Sequence, residues 1–383
     1  MQLKHTIIPS IGPSITNKEI QLVLEAIETG WYEQMNKYIH QFAQEFSAFA
    51  GKKYCLPVSH GTAAVHLAFL GLNIGRGDEV IVPDITWVAS AAPLNYVGAK
   101  IVFADIDQKN WCISPQAFER SITNKTKAVV VVDLFGNMPD MQEIKRIAQK
   151  HRILIIEDAA EAIGAQYHNQ PAGSFGKIGV YSFNATKLTI AGQGGMVVTD
   201  DKKVFEKMKM FAHHGILKKP NARYYWSHHI GFNYNWTNIQ AALALAQLRR
   251  LDELLSKRRQ IFTWYAERLA DIDGIQLNNE SRNVKNSYWI TVALINKKYK
   301  LKKEVIQAEC KKYNIDVRPF FYPLSSMPAF APYCRNKNMR KINPVSYEIS
   351  PYGICLPSGA TLSEKDVDYV CMVLRNILLK RRS

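Results

Sequence analysis

The sequence predicts an α/β protein with a mostly parallel central sheet flanked by helices, and a smaller C-terminal α/β domain after it. Two observations carry this. Apolar runs of strand length recur at Glu79-Val80-Ile81-Val82-Pro83, Lys100-Ile101-Val102-Phe103-Ala104-Asp105, Ala128 to Val132 and Ile153-Leu154-Ile155-Ile156, with helical stretches between them, as βα units require. At 383 residues, 47% hydrophobic and 21% charged, the chain is long enough for a large domain, placed at 1–245, and a smaller one at 246–383.

The first helix is announced by Thr16-x-x-Glu19, a capping box, and by Ile20, Val23, Leu24 and Ile27 at helical spacing before Gly30. Trp31-Tyr32-Glu33-Gln34 follows. Pro57 to Leu67 is a short apolar approach, a small-residue turn and a helical segment. Gly61 and Thr62 at that helix start offer free N–H groups and a positive dipole end, suited to a phosphate. The run Glu79–Pro83 delivers Thr86-Trp87-Val88-Ala89-Ser90 beyond a strand's C-terminal end, where ligands sit in open α/β sheets.

The apolar strand ending in Glu157-Asp158 carries its carboxylates into apolar surroundings, with Glu161 close behind. A carboxylate so placed needs a cation. Lys187 lies between a strand at Ile178 to Phe183 and a glycine-broken turn leading to Met196–Thr199. Flanked by small and apolar residues, it can be desolvated and act as an amine nucleophile toward an aldehyde cofactor.

Further on, a helix is expected to about Ala212, an informative loop at Gly231 to Ala242, and a long amphipathic helical region from Gln240 to Ala270. The charge runs Arg249-Arg250 and Lys257-Arg258-Arg259 within it read as a solvated face. The smaller domain is expected to begin with a strand around Tyr288 to Val292 and to end with a helix from Ser363 to Leu379. His213-His214 cannot share a helical face and has no acidic partner at ligand spacing, so no metal is expected there.

The six cysteines are scattered without a Cys-x-x-Cys pair, which points to reduced thiols. The formal net charge of +16 suits an anionic partner, but the basic residues are spread through amphipathic segments, so nucleic acid is not expected. No run approaches the roughly 18 apolar residues of a membrane span, and no apolar stretch of signal-peptide length opens the chain; a soluble cytoplasmic protein is expected.

Ser182-Phe183-x-x-x-Lys187 followed by Gly194-Gly195-Met196-Val197-Val198-Thr199 resembles the DegT/StrS family of sugar-nucleotide aminotransferases, and within it the perosamine synthetase branch. The resemblance spans nearly the whole chain. It implies a fold-type I enzyme that uses pyridoxal 5′-phosphate linked to Lys187. The matching positions give Gly61, Thr62 and Ser182 to the cofactor, Trp87 to the ring face, Asp158 to the ring nitrogen and Glu161 to the neighbourhood of the 3′ oxygen. Asn233 reaches the other subunit's phosphate in a homodimer with shared sites, with Asn235, where many relatives carry arginine, as the competitor.

Trp31 and Tyr32 match the start of the sugar-binding loop, although Asn36 stands where relatives usually have glycine. The segment holding Arg318, Phe320 and Tyr322 looks like the lining of the substrate mouth, with Ser325 where many relatives have histidine. The implied reaction passes an amino group from an amino acid such as glutamate to a nucleotide-linked 4-keto-6-deoxy sugar, giving GDP-perosamine or a dTDP- or UDP-linked viosamine. A keto-sugar dehydratase would carry histidine in place of Lys187; a non-catalytic regulator on the same fold is the third alternative.

Overall fold

The computed structural model describes residues 7–217, 223–281 and 283–379. Helix α1 (Asn17–Thr29) starts at the expected capping box and stops at Gly30. Its packing departs from the periodicity: Ile20, Leu24 and Ile27 are half-exposed, and Glu19 and Ala26 are buried in their stead. Helix α2 (Lys37–Ala50) leads into strand β1 (Tyr54–Val58) and helix α3 (Gly61–Gly71). The expected strands appear as β2 (Glu79–Pro83), β3 (Lys100–Ala104), β4 (Thr126–Val132) and β5 (Leu154–Asp158), with helices α4 (Ala92–Val97), α5 (Pro115–Arg120) and α6 (Met141–His151) between and around them.

A two-residue ribbon, β6 (Gln166–Tyr167) and β7 (Gln170–Pro171), precedes β8 (Ile178–Ser182) and β9 (Gly195–Thr199). The large sheet runs β1-β9-β8-β5-β4-β2-β3. Five neighbouring strands, β8 to β3, are parallel, and β9 runs against β8 and β1. Both faces are covered. Alternate residues of β4 show why the strand reads as a continuous apolar run, since Val129 and Val131 enter one core cluster while Ala128, Val130 and Val132 enter the other.

Helix α7 (Lys202–Ala212) ends where expected. The helical region beyond it is two helices, α8 (Asn238–Leu248) and α9 (Leu251–Leu269), broken at Arg249-Arg250. Arg250 is not on a solvated face. Its guanidinium makes a buried ion pair with Glu19 at 2.6 Å and bonds Ser14 and Glu253, so its charge is matched inside the protein. Arg258 is buried as well. The first part of α9 (Leu251, Leu254, Leu255) packs with the large-sheet cluster, and Ile261, Phe262, Tyr265 and Leu269 pack with a separate cluster.

That cluster lies on an antiparallel sheet of β10 (Ile275–Leu277), β12 (Thr291–Ile295), β14 (Gly353–Leu356) and β13 (Arg318–Pro319); β11 (Val284–Lys285) pairs instead with β6. The strand expected around Tyr288 begins three residues later. Asn286 Oδ1 accepts from the Tyr288 N–H at 2.7 Å and holds a turn in which Tyr288 has φ +46°, which no strand accommodates. Helices α10 (Lys303–Lys311), α11 (Met339–Ile342), α12 (Pro344–Ile349) and α13 (Glu364–Leu379) complete the chain. Among the described residues no helix is long and apolar enough to cross a membrane.

Candidate active site

The carboxyl ends of β2, β4, β5 and β8 open on one edge of the parallel sheet, and the loops leaving them carry Trp87, Phe135, Glu161 and Lys187. The loop with Lys187 is closed on itself. Phe183 and Ala185 donate to the Gly194 and Gly192 carbonyls and Ala191 donates to Phe183, all at 2.8–2.9 Å, with Gly192 at φ +74° making the turn. The lysine is therefore held near the end of β8. Its Nζ lies 3.5 Å from Glu161 Oε1 and 4.0 Å from the centroid of the Trp289 ring.

Asp158, the last residue of β5, is buried and accepts from Ser90 Oγ at 2.7 Å and from the Ala160 N–H at 3.2 Å. Ser90 also shares a hydrogen bond with Thr86 at 2.8 Å, so the turn that carries Trp87 is fastened to Asp158. Glu161 Oε2 accepts from the Phe135 N–H at 3.0 Å. Burial pushes both carboxyls above their ordinary range; the Ser90 hydroxyl, the Ala160 N–H and then Lys187 pull Asp158 back only in part, and the charge of Lys187 does so for Glu161. Asp158 thus sits where a further cation would be stabilised.

The indole of Trp87 is 58% exposed. It is tilted against Phe321 at 6.1 Å, and Phe135 stacks between Phe321 and Trp289 at 5.3 and 6.4 Å. One aromatic wall therefore runs from Trp87 to the ring under Lys187. Beside the ends of β8 and β1, α3 begins at Gly61 with His60 as a cap residue that offers no side-chain bond, which leaves its first N–H groups open. A Cβ on Gly61 would meet Ser182 Cβ at 3.1 Å, and one on Gly195 would meet the His60 carbonyl oxygen at 2.5 Å. Three strand ends converge on this turn.

This donor set fits pyridoxal phosphate, which presents a phosphate, a basic ring nitrogen and an aldehyde. Uncapped N–H groups, a buried carboxylate short of a cation and an enclosed amine face these in turn.

The structure brings Gly61 to Ser182, and Asp158, Glu161 and Lys187 to one cleft. Other expected residues stand apart from it within the chain. Trp31 and Tyr32 follow α1 on the surface, Tyr32 92% exposed, and no described contact joins them to Lys187. Asn233 is exposed and accepts from Asn235 Nδ2 at 2.9 Å; between them, the Tyr234 carbonyl accepts from the Ser59 N–H, which lays this loop beside the α3 turn. Arg318 is exposed on β13. Tyr322 donates to Glu304 at 2.8 Å.

Phe320 needs a correction. Its ring is 0% exposed among Trp111 and Phe135, and Phe321 is the aromatic that meets Trp87. Ser325, at the mouth by expectation, is buried on Asp84, which accepts from its N–H and its hydroxyl at 2.8 and 2.6 Å. Sequence reasoning gave no role to Ser90, Phe135 or Trp289. Ser90 had a signal, a hydroxyl four residues past Thr86 in the turn after an apolar strand. Trp289 had none, being 103 residues from its partner Thr186.

The DegT/DnrJ/EryC1/StrS aminotransferase family pattern matches residues 13–375. GDP-perosamine synthase of Escherichia coli O157:H7 is 37% identical over 95% of this chain and 96% of its own length, and that of Caulobacter vibrioides is 34% identical over 96% and 97%. Among solved structures, Spr1654 of Streptococcus pneumoniae in its PLP form superposes with a TM-score of 0.90 at 26% identity, over 98% of this chain and 99% of that one. The architecture is the fold-type I arrangement expected from the motifs around Lys187. With that match along almost its full length, the chain belongs to the DegT/DnrJ/EryC1/StrS aminotransferase family.

Proposed function

We propose that this protein moves an amino group from an amino acid, glutamate in our reading, to the C4 ketone of a nucleotide-linked 4-keto-6-deoxy sugar, giving a 4-amino sugar such as GDP-perosamine. The observation that carries it is Lys187 Nζ held between Glu161 and Trp289 in the same cleft as the buried Asp158. The likeness to GDP-perosamine synthases supports the choice of sugar.

When bound, pyridoxal phosphate supplies an aldehyde for an amine and a ring that accepts the electron pair left on carbon after proton loss. The chain supplies the rest. Asp158, oriented by Ser90, would hold a proton on the ring nitrogen. The N–H groups of Gly61 and Thr62 at the start of α3 would hold the phosphate, and the exposed indole of Trp87 would supply an aromatic surface for the ring. With the cofactor bound, the amine of Lys187 would be the group that takes and returns the proton at the donor's Cα, and it would do the same in the opposite direction for the sugar. Glu161 lies beside that amine and orients it.

Arg318 presents a planar fork for a diphosphate or a donor carboxylate. Trp31, Tyr32 and Asn233 enter a neighbouring site in a homodimer; their exposure, and the half-exposed Ile20, Leu24 and Ile27 on α1, support such an interface. We also take 1–245 and 246–383 as the two domains: Ile261, Tyr265, Val367 and Leu374 share a C-terminal apolar cluster, while Leu251, Leu254, Leu255, Trp289 and Phe320 pack with the large-sheet clusters and join the two parts.

The test is incubation with GDP-, dTDP- and UDP-linked 4-keto-6-deoxy sugars plus glutamate, with the products followed by mass and their stereochemistry by NMR. An amino sugar from the GDP substrate is expected. No amino sugar from any of the three would overturn the reading.

A further inference from the structure

Trp289 comes from the turn before β12, far along the chain from the Lys187 loop, yet it grips that loop twice. Its indole N–H donates to the Thr186 carbonyl at 2.7 Å, one residue before the lysine, and its ring face receives the Lys187 ammonium at 4.0 Å. Glu161 receives the same ammonium at 3.5 Å. Phe135 organises both receivers, stacking on Trp289 at 11° between planes and donating its N–H to Glu161. Trp289 is itself buried.

An ammonium in so enclosed a cleft has little water to solvate it, and a ring face opposite a carboxylate is the arrangement that replaces the water. Resting on the reading of Lys187 as the amine that links to the cofactor, we infer that Trp289 is a positioning residue that seats this amine whenever it is not bonded to the cofactor. The proposed cycle frees the amine in each half-reaction and needs it back at the same atoms. A long side chain left loose would search its rotamers each time; this one has a fixed place, and the bond to Thr186 fixes the backbone beneath it.

The test uses W289L, which removes face and N–H; W289F, which keeps a face; and K187A. Lysine amines of the cofactor-free protein are tagged with ¹³C-methyl groups, and NMR is read for a methyl signal shifted upfield by an aromatic ring. Other amines also lie over rings, Lys303 over Tyr322 at 3.4 Å and Lys257 over Trp264 at 4.5 Å, so several upfield signals are expected; the one missing in K187A should move downfield in W289L and stay upfield in W289F. If the K187A-sensitive signal has the same position in wild type and W289L, the seat does not exist.

With cofactor and substrates, kcat of W289L should fall about tenfold, equivalent to about 1.4 kcal/mol, with KM for donor and sugar unchanged within about twofold, and W289F should lose only about threefold. A W289L kcat at the wild-type level overturns the inference. Should W289L fail to fold, wild type and K187A decide: if no ring-shifted methyl signal of the wild type disappears in K187A, the seat does not exist. The reading of Lys187 is tested separately: a visible cofactor band that persists in K187A removes that reading, whereas a band lost in K187A with an unmoved methyl signal removes only the seat.

Discussion

Gly195, the first residue of β9, is packed so tightly against His60 that a methyl group on it would stand 2.5 Å from the His60 carbonyl oxygen and 2.9 Å from the Gly61 nitrogen. Both are backbone atoms in the turn that opens α3, just past the end of β1, where Val58 pairs with Gly195. G195A must therefore push the uncapped N–H groups out of line. We expect cofactor affinity to fall at least about tenfold, with a destabilisation of about 1–3 kcal/mol, the range for overpacking. Titration of the visible cofactor band and thermal melting measure the two effects.

The bond from Ser90 Oγ to Asp158 Oδ2 separates charge from orientation. D158N keeps the shape and loses the negative charge, so kcat should drop by about 10²–10³, as when one preorganised electrostatic group is removed from an active site. S90A keeps the charge and loses one bond to it, worth about 1.5–3 kcal/mol at most, so its kcat should lie between D158N and wild type. Steady-state kinetics of the two variants would decide it, and equal losses would mean that orientation alone matters.

Glu19 sets an acid limit on stability. Burial pushes its carboxyl up, but the Thr16 hydroxyl and the Arg250 guanidinium outweigh this and hold it at about 2. Because the folded value lies below that of the unfolded chain, the contribution is complete above about pH 4.5 and is lost as pH falls toward 2. E19Q should be less stable at pH 7 by about 3 kcal/mol, since it leaves buried Arg250 with one of its two carboxylates, and should lose less between pH 5 and 3 than wild type does. Denaturant melts at several pH values would show the two curves converging.

How much of this was legible in the sequence follows from what is local. The strands β2 to β5 and Lys187 were readable because an apolar run, or a lysine among small residues, is written in consecutive positions. The reversed direction of β9 was not, since side-chain alternation is the same either way along a strand. Helix α1 shows the limit of periodicity: Ile20, Leu24 and Ile27 mark a face, but nothing local says whether that face meets this chain's core. Arg250 looked like surface because its partner Glu19 is 231 residues away. Phe320 and Phe321 are adjacent, so the choice between core and cleft depended on a register set by β14.

Asn233 and Lys187 allow the shared-site arrangement to be tested without a structure of the assembly. K187A should lose both the visible cofactor band and turnover, because Lys187 is the amine that lies against Glu161 and Trp289 in the cleft. N233A should keep the band but lose activity through weaker phosphate binding, provided that Asn233 serves the partner's site. In a two-fold dimer each site would combine the lysine of one subunit with the asparagine of the other. Random mixing of the two inactive variants then makes half the dimers mixed, and each mixed dimer has one site with both groups intact and one with neither. Activity should return to about a quarter of wild type after subunits are exchanged, a consequence of the isologous geometry. No recovery, with exchange verified by mass-tagged subunits, would place Asn233 in the service of its own chain or of no site at all.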